Sequence, residues 1–283
     1  MVTHNLPPQP RSIVGRERDL TQARQRLLRA DTRLLTLVGP PGVGKTRLAV
    51  ELAADVLDEL DGGAWFVDLA PITDPRQVPD AIVRGLGLGD IGRQSSADAL
   101  EDALRQKSLL LVLDNFEQVL DAADLVARLL VACPKLKVLV TSRTPLHLRW
   151  EREHPVRPLE LPSRQQQQTR AALTASPAVQ LFVERAQAVV PSFTLGEAEA
   201  AAVAEICALL DGLPLAIELA AARVKLFPPV ALVRRLTGMD PGGAGSVHAS
   251  PLRLLTGPDR DVPSRQHTLR NAIAWSYDLL TPE

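Results

Sequence analysis

The sequence predicts an α/β core on a mostly parallel sheet, followed by a small all-helical part. Three observations carry this. Apolar runs bounded by turn residues recur at 34–38, 64–68, 108–114 and 137–141. Stretches at helical spacing lie between them, and strand alternating with helix argues for right-handed crossovers and parallel pairing. Beyond residue 177 only the helical period remains.

Composition sets the bounds. At 283 residues the chain is long enough for roughly two domains. With aromatics at 3%, Leu, Val and Ala must fill the core. A formal net charge of −1 supplies no whole-chain drive toward nucleic acid or membrane, so no direct nucleic-acid contact is expected of this chain. Cys133 and Cys207 stand far apart without a C-x-x-C spacing and read as buried thiols in a reducing compartment. Residues 1–12 carry no apolar core of signal-peptide length, and no later run approaches ~18 apolar residues. A cytoplasmic protein with no membrane contact is the expectation.

Taken in order, residues 1–11 with Pro7, Pro8 and Pro10 predict a flexible, poorly ordered arm. The core is expected over 12–162. Ile13 to Glu17 alone is a strand-like turn before an amphipathic helix at 17–30. The apolar run 34–38 stops at Gly39, and Gly39, Gly44, Lys45 and Thr46 satisfy G-x-x-x-x-G-K-[ST]. A helical pattern follows at 47–60. A phosphate chain needs many backbone N–H donors converging on it, so the loop must curl with few side chains, and the next helix offers its positive end. The residues expected against a nucleoside triphosphate are Gly39, Pro41, Gly42, Val43, Gly44, Lys45, Thr46 and Arg47. Lys45 reaches the outer phosphates, and the Thr46 hydroxyl ligates Mg²⁺.

Residues 76–86 predict a helix, 85–96 a loop, and Ser96 an N-cap. The run 108–114 is apolar enough for a strand covered on both faces. It delivers Asp114 at its C-terminal end, where open sheets bind ligands, as the second Mg²⁺ ligand. A helix at 119–131 leads to the strand 137–141 and then Arg143. Arg143 either senses a terminal phosphate or is a solvated surface arginine, and spacing does not choose between them. The glutamine-rich stretch 163–177 reads as a linker. Helices follow at 178–190, 198–210, from Pro214, and from Pro228 and Pro229 to about 236. A Gly/Pro/Ser-rich loop spans 239–264, and amphipathic spacing resumes near the end, in 265–283.

With SIVGRERDL, LTLVGPPGVGKTRLA, WFVDLAPITDP, LLLVLDNFEQV, VLVTSR, AVQLFVERA, EICALLDGLPLAIELAAARV and QHTLRNAIAWSYDLL in that order, the chain resembles the STAND class of P-loop NTPases. The likeness is to the NB-ARC-like ATPase module of bacterial AfsR/LuxR-type transcriptional regulators. The resemblance implies a P-loop strand flanked by an inserted strand ending in Arg143, and Arg143 as γ-phosphate sensor. It also implies Val14 and Arg16 at the adenine, and Pro214 of a helical lid (178–238) on the nucleotide. Residues 265–283 would be the first helix of a winged-helix domain. Effector and DNA-binding domains would lie outside this chain, and nucleotide-dependent self-association is left open.

The function so implied is an ATP- or ADP-binding regulatory switch with weak ATPase activity, with Lys45, Asp114 and Arg143 in the catalytic roles. One departure bears on chemistry. Where related ATPases often carry a second acid after the metal aspartate, this chain has Asn115, whose amide cannot accept a proton. Glu117 is a base candidate, or the cap of the next helix. The alternatives are an AAA+-like oligomeric ATPase that enlists Arg223, Arg234 or Arg235, a small-molecule kinase, or a nucleotide-binding fragment without its effector domains.

Overall fold

The computed structural model describes residues 4–9, 12–88, 95–163 and 170–237. The expected loop 239–264 and winged-helix segment 265–283 lie outside them, as do residues 89–94 and 164–169 of the expected loop and linker. The chain divides into two compact units. The first runs to Pro40 and resumes at Lys45–Val156; the second joins Pro41–Gly44 to the chain from Arg157 onward.

In the first unit the strands are β1 (Leu34–Val38), β2 (Ala64–Asp68), β3 (Leu110–Asp114), β4 (Lys137–Ser142) and β5 (Glu151–Pro155). They form one sheet in the order β2-β3-β4-β1-β5, every neighbouring pair parallel. The strand that ends before Arg143 therefore lies between β1 and β3, as the resemblance implied. Register does the positioning. Val38 stands opposite Ser142, and Asp68 opposite Asp114, so Gly39, Arg143, Asp68 and Asp114 all emerge at one edge of the sheet.

Alternation along the strands feeds two faces. Leu34, Val67, Leu111, Leu113, Val138 and Val140 build one core with α3 (Val78–Gly85), α4 (Ser96–Leu104) and α5 (Ala123–Ala132). The helix after the phosphate loop, α2 (Lys45–Asp55), packs on β1 to β4 and buries Leu48, Ala49, Leu52 and Ala53. Beside it lies α1 (Glu17–Leu28), with Ala23 and Leu27 inward.

Several expectations shift. The strand β5 has no apolar run to announce it; only His154 of its five residues is buried, and backbone pairing with β1 organises it. The N-terminal arm is held in part. The Asn5 amide donates to the carbonyls of Phe66 (2.9 Å) and Gly85 (3.0 Å) and accepts from the Phe66 N–H. A proline-rich segment has no apolar face to bury, but β2 is an edge strand with backbone groups to spare. The cap of α4 is Ser95, whose side chain accepts from the Asp98 N–H, and not Ser96. Helix α5 starts only at Ala123, after two 3₁₀ turns at Phe116–Gln118 and Leu120–Ala122.

The second unit holds α6 (Arg170–Thr174), α7 (Pro177–Val189), α8 (Glu197–Leu209), α9 (Pro214–Ala221) and α10 (Pro229–Leu236). The first of these falls where a linker was expected. The α7 helix packs on α8 and α9, and α10 packs on α8. Proline opens α7, α9 and α10 at positions whose N–H would have no helical partner.

Candidate nucleotide site

The loop after β1 is shaped by two left-handed residues, Gly42 at φ +75° and Gly44 at φ +95°. Nothing lies within 4 Å of where a Cβ on Gly44 would sit, so it is the dihedral that demands glycine there. Val43, fully buried, pins the loop between them. Lys45, first residue of α2, folds back so that its ammonium donates to the carbonyls of Gly39 (2.7 Å) and Pro40 (3.1 Å). Burial lowers the Lys45 pKa; Glu117, and more weakly Asp114, pull it back up, while Arg143 opposes them.

The Thr46 hydroxyl donates to Asp114 Oδ2 at 3.1 Å. Asp114 is 2% exposed. Its carboxylate also accepts from the Thr141 hydroxyl (2.5 Å) and from the Asn115 amide (2.7 Å). Burial pushes the Asp114 pKa up to about 6 against the pull of those threonine bonds, and the charges of Asp68 and Glu117 add to the rise. No Lys or Arg among the described residues forms an ion pair with it. A buried anionic oxygen beside a hydroxyl fits a hard divalent cation. Among the described residues no group of three His, Cys, Asp or Glu side chains could hold a metal alone. An ion held by Thr46 and Asp114 would complete its shell with oxygens from outside this pair.

Asn115 takes the left-handed conformation, φ 62°. Its N–H donates to Thr141 Oγ1 (3.0 Å) and its side-chain amide reaches Asp68 (3.2 Å) as well as Asp114. Thr141 and Asp68 went unnoticed in the sequence, where their one signal is a polar residue at the end of an apolar run. Arg143 is not a solvated arginine. Its side chain is 11% exposed and its Nε donates to Glu117 Oε1 at 3.0 Å. Glu117 therefore lies in a 3₁₀ turn against Arg143 and does not cap α5.

Of the weaker sequence signals, Arg16 is 6% exposed and bonds Asp19 at 2.7 Å, with Val14 half-buried nearby in the chain. Arg47 of α2 donates to the Ser12 carbonyl (2.7 Å), tying that segment to the loop's helix. Within the second unit Pro214 begins α9, and the Leu215 N–H, one of that helix's open donors, finds the Gly42 carbonyl at 3.2 Å. None of these residues lines the cavity of about 620 Å³ bounded by Glu101, Arg128, Val131 and Trp150.

Residues 28–151 match the family model described as AAA domain. This stretch is similar to AAA domains, and the module it belongs to has the P-loop ATPase fold. The crystal structure of Cdc6p from Pyrobaculum aerophilum shares the module's fold (TM-score 0.52, 18% identity, covering 78% of this chain and 64% of that one). So does the structure of Drosophila ORC bound to DNA (TM-score 0.52, 12% identity, 74% and 60%). In sequence, a Mycobacterium tuberculosis protein carrying the name of an HTH-type transcriptional regulator is 43% identical over 257 residues, which is 90% of this chain and 26% of that protein. A second M. tuberculosis protein, whose name assigns no function, is 36% identical over 281 residues, 99% of this chain and 65% of that protein. The chain thus spans about a quarter of the first relative's length and under two thirds of the second's. Among the described residues no helix is long and apolar enough to cross a membrane.

Proposed function

We propose that this chain is the ATP/ADP-binding module of a transcriptional regulator and works as a slow switch of the STAND, NB-ARC-like kind. The observation that carries the reading is the Thr46 hydroxyl on the buried Asp114 carboxylate, with Thr46 two residues past the left-handed Gly44. In this reading the loop amides and Lys45 take the phosphates, and Thr46 and Asp114 hold Mg²⁺. When bound, the ion would neutralise phosphate charge. Val14 and Arg16 lie along the adenine, Pro214 packs on the nucleotide, and Arg143 reads the γ-phosphate.

Slow turnover follows from Asn115. Its amide is spent on Asp114 and Asp68 and has no basic atom to take a proton from water. The regulatory role is supported by the name of the 43% identical relative, and effector and DNA-binding domains would belong to the longer protein. For nucleotide to act as a signal it must bind two arrangements of the protein with different affinity.

Calorimetry tests this. Lys45→Ala is expected to abolish binding of ADP and ATP, whereas Arg143→Ala keeps ADP and loses discrimination between them. Unchanged titrations of both nucleotides with Arg143→Ala would remove the sensor assignment. A second reading, an oligomeric ATPase, is favoured by the AAA domain match at 28–151. It requires hydrolysis that rises with protein concentration and ring-sized particles in light scattering.

A further inference from the structure

The nucleotide reading leaves the carboxylate of Glu117 without a role. Glu117 follows β3 in the turn Phe116–Gln118, its side chain 7% exposed. The turn is anchored on both sides by Phe116 and Val119, which are fully buried, so the carboxylate is held in place. One oxygen accepts from Arg143, while the other, Oε2, is buried without a hydrogen-bond partner among the described residues. Of the charges that attract the Lys45 ammonium, Glu117 ranks ahead of Asp114. A carboxylate thus pairs with Arg143 and attracts Lys45, the two cations that a terminal phosphate would recruit.

We infer that Glu117 is an internal competitor of the γ-phosphate, a specificity-determining residue that sets the preference between nucleoside di- and triphosphate. The inference rests on the nucleotide-binding reading above and deepens it. Glu117 holds the Nε edge of the Arg143 fork, so a phosphate that takes this edge must displace the carboxylate, anion for anion. A diphosphate makes no such demand and leaves the pair intact. The penalty therefore falls on the triphosphate alone. A buried pair suits this use, because either cation left without an anion would be costly and the exchange leaves neither bare.

The test is calorimetry on the full chain with Mg²⁺, using ADP and a non-hydrolysable imido analogue of ATP. Glu117→Gln is expected to raise the triphosphate-to-diphosphate affinity ratio by about fivefold or more. In an Arg143→Gln background the same change is expected to move the ratio much less, since the competition acts through Arg143. A ratio unchanged by Glu117→Gln overturns the inference, as does an equal weakening of both nucleotides, the mark of a structural role. Loss of hydrolysis at an unchanged ratio would instead make Glu117 the general base. If the isostere does not fold, Glu117→Asp carries the same test, with a smaller rise expected and an unmoved ratio overturning. Wild-type protein that binds neither nucleotide would sink the nucleotide reading itself, a result distinct from any of these.

Discussion

His154, on β5, is 2% exposed, and neither ring nitrogen has a hydrogen-bond partner among the described residues. Burial, helped by the charge of Arg26, lowers its pKa; Asp19 pulls weakly the other way. The unfolded chain takes up a proton near pH 6.5, and the folded one resists. Stability tied to the neutral ring is therefore complete above that pH and drains away as pH falls below it. The variant His154→Leu is expected to melt no lower than wild type at pH about 7.5, and to lose less of its melting temperature on going to pH about 5.5. Equal losses in both proteins would show that the ring does not titrate this way. Asn115 shows how far a residue can be read in isolation. That its amide cannot serve as a base is plain from its chemistry. That it bridges Asp114 and Asp68 is not, because Asp68 becomes a neighbour only through the pairing of β2 with β3.

At the scale of elements, the turn before α9 shows how a glycine fixes a helix start. Gly212 has φ +66°, and a Cβ there would sit 2.4 Å from the Leu159 carbonyl oxygen. Its own carbonyl accepts the Leu159 N–H at 2.9 Å. Gly212→Ala meets both a disfavoured left-handed dihedral and a backbone clash, so it is expected to destabilise the second unit by about 1–3 kcal/mol in chemical denaturation. An unchanged midpoint would mean that the segment at Leu159 is free to move aside. The strands carrying apolar runs, and the main helices, were legible from period and punctuation. The misses share a cause. Strand β5 lacks an apolar run because an edge strand needs only its backbone, and α5 starts late because the first residues of the expected helix form the 3₁₀ turn Leu120–Ala122.

For the molecule as a whole, a ligand that binds only the folded state adds stability in proportion to the logarithm of its concentration. The gain reaches about 2.7 kcal/mol at a hundred times Kd. Thermal melts of the wild-type chain are expected to climb with ADP concentration, while Lys45→Ala stays flat. A wild-type midpoint indifferent to millimolar ADP would contradict the nucleotide site. Residues Pro41–Gly44 group with the second unit, and Lys45 onward with the first. A melt that splits into two transitions would reveal whether ADP stabilises one unit or both.

The phosphate loop, its flanking strand and helix, and Asp114 at a strand end were determined by the sequence alone. Glycine dihedrals, apolar runs and a following helix are local properties that a short stretch carries with it. Strand order, the edge strand β5, and the meeting of Glu117 with Arg143 were decided only by tertiary structure. Each depends on which strands pair and in what register, and that is settled by packing across tens of residues.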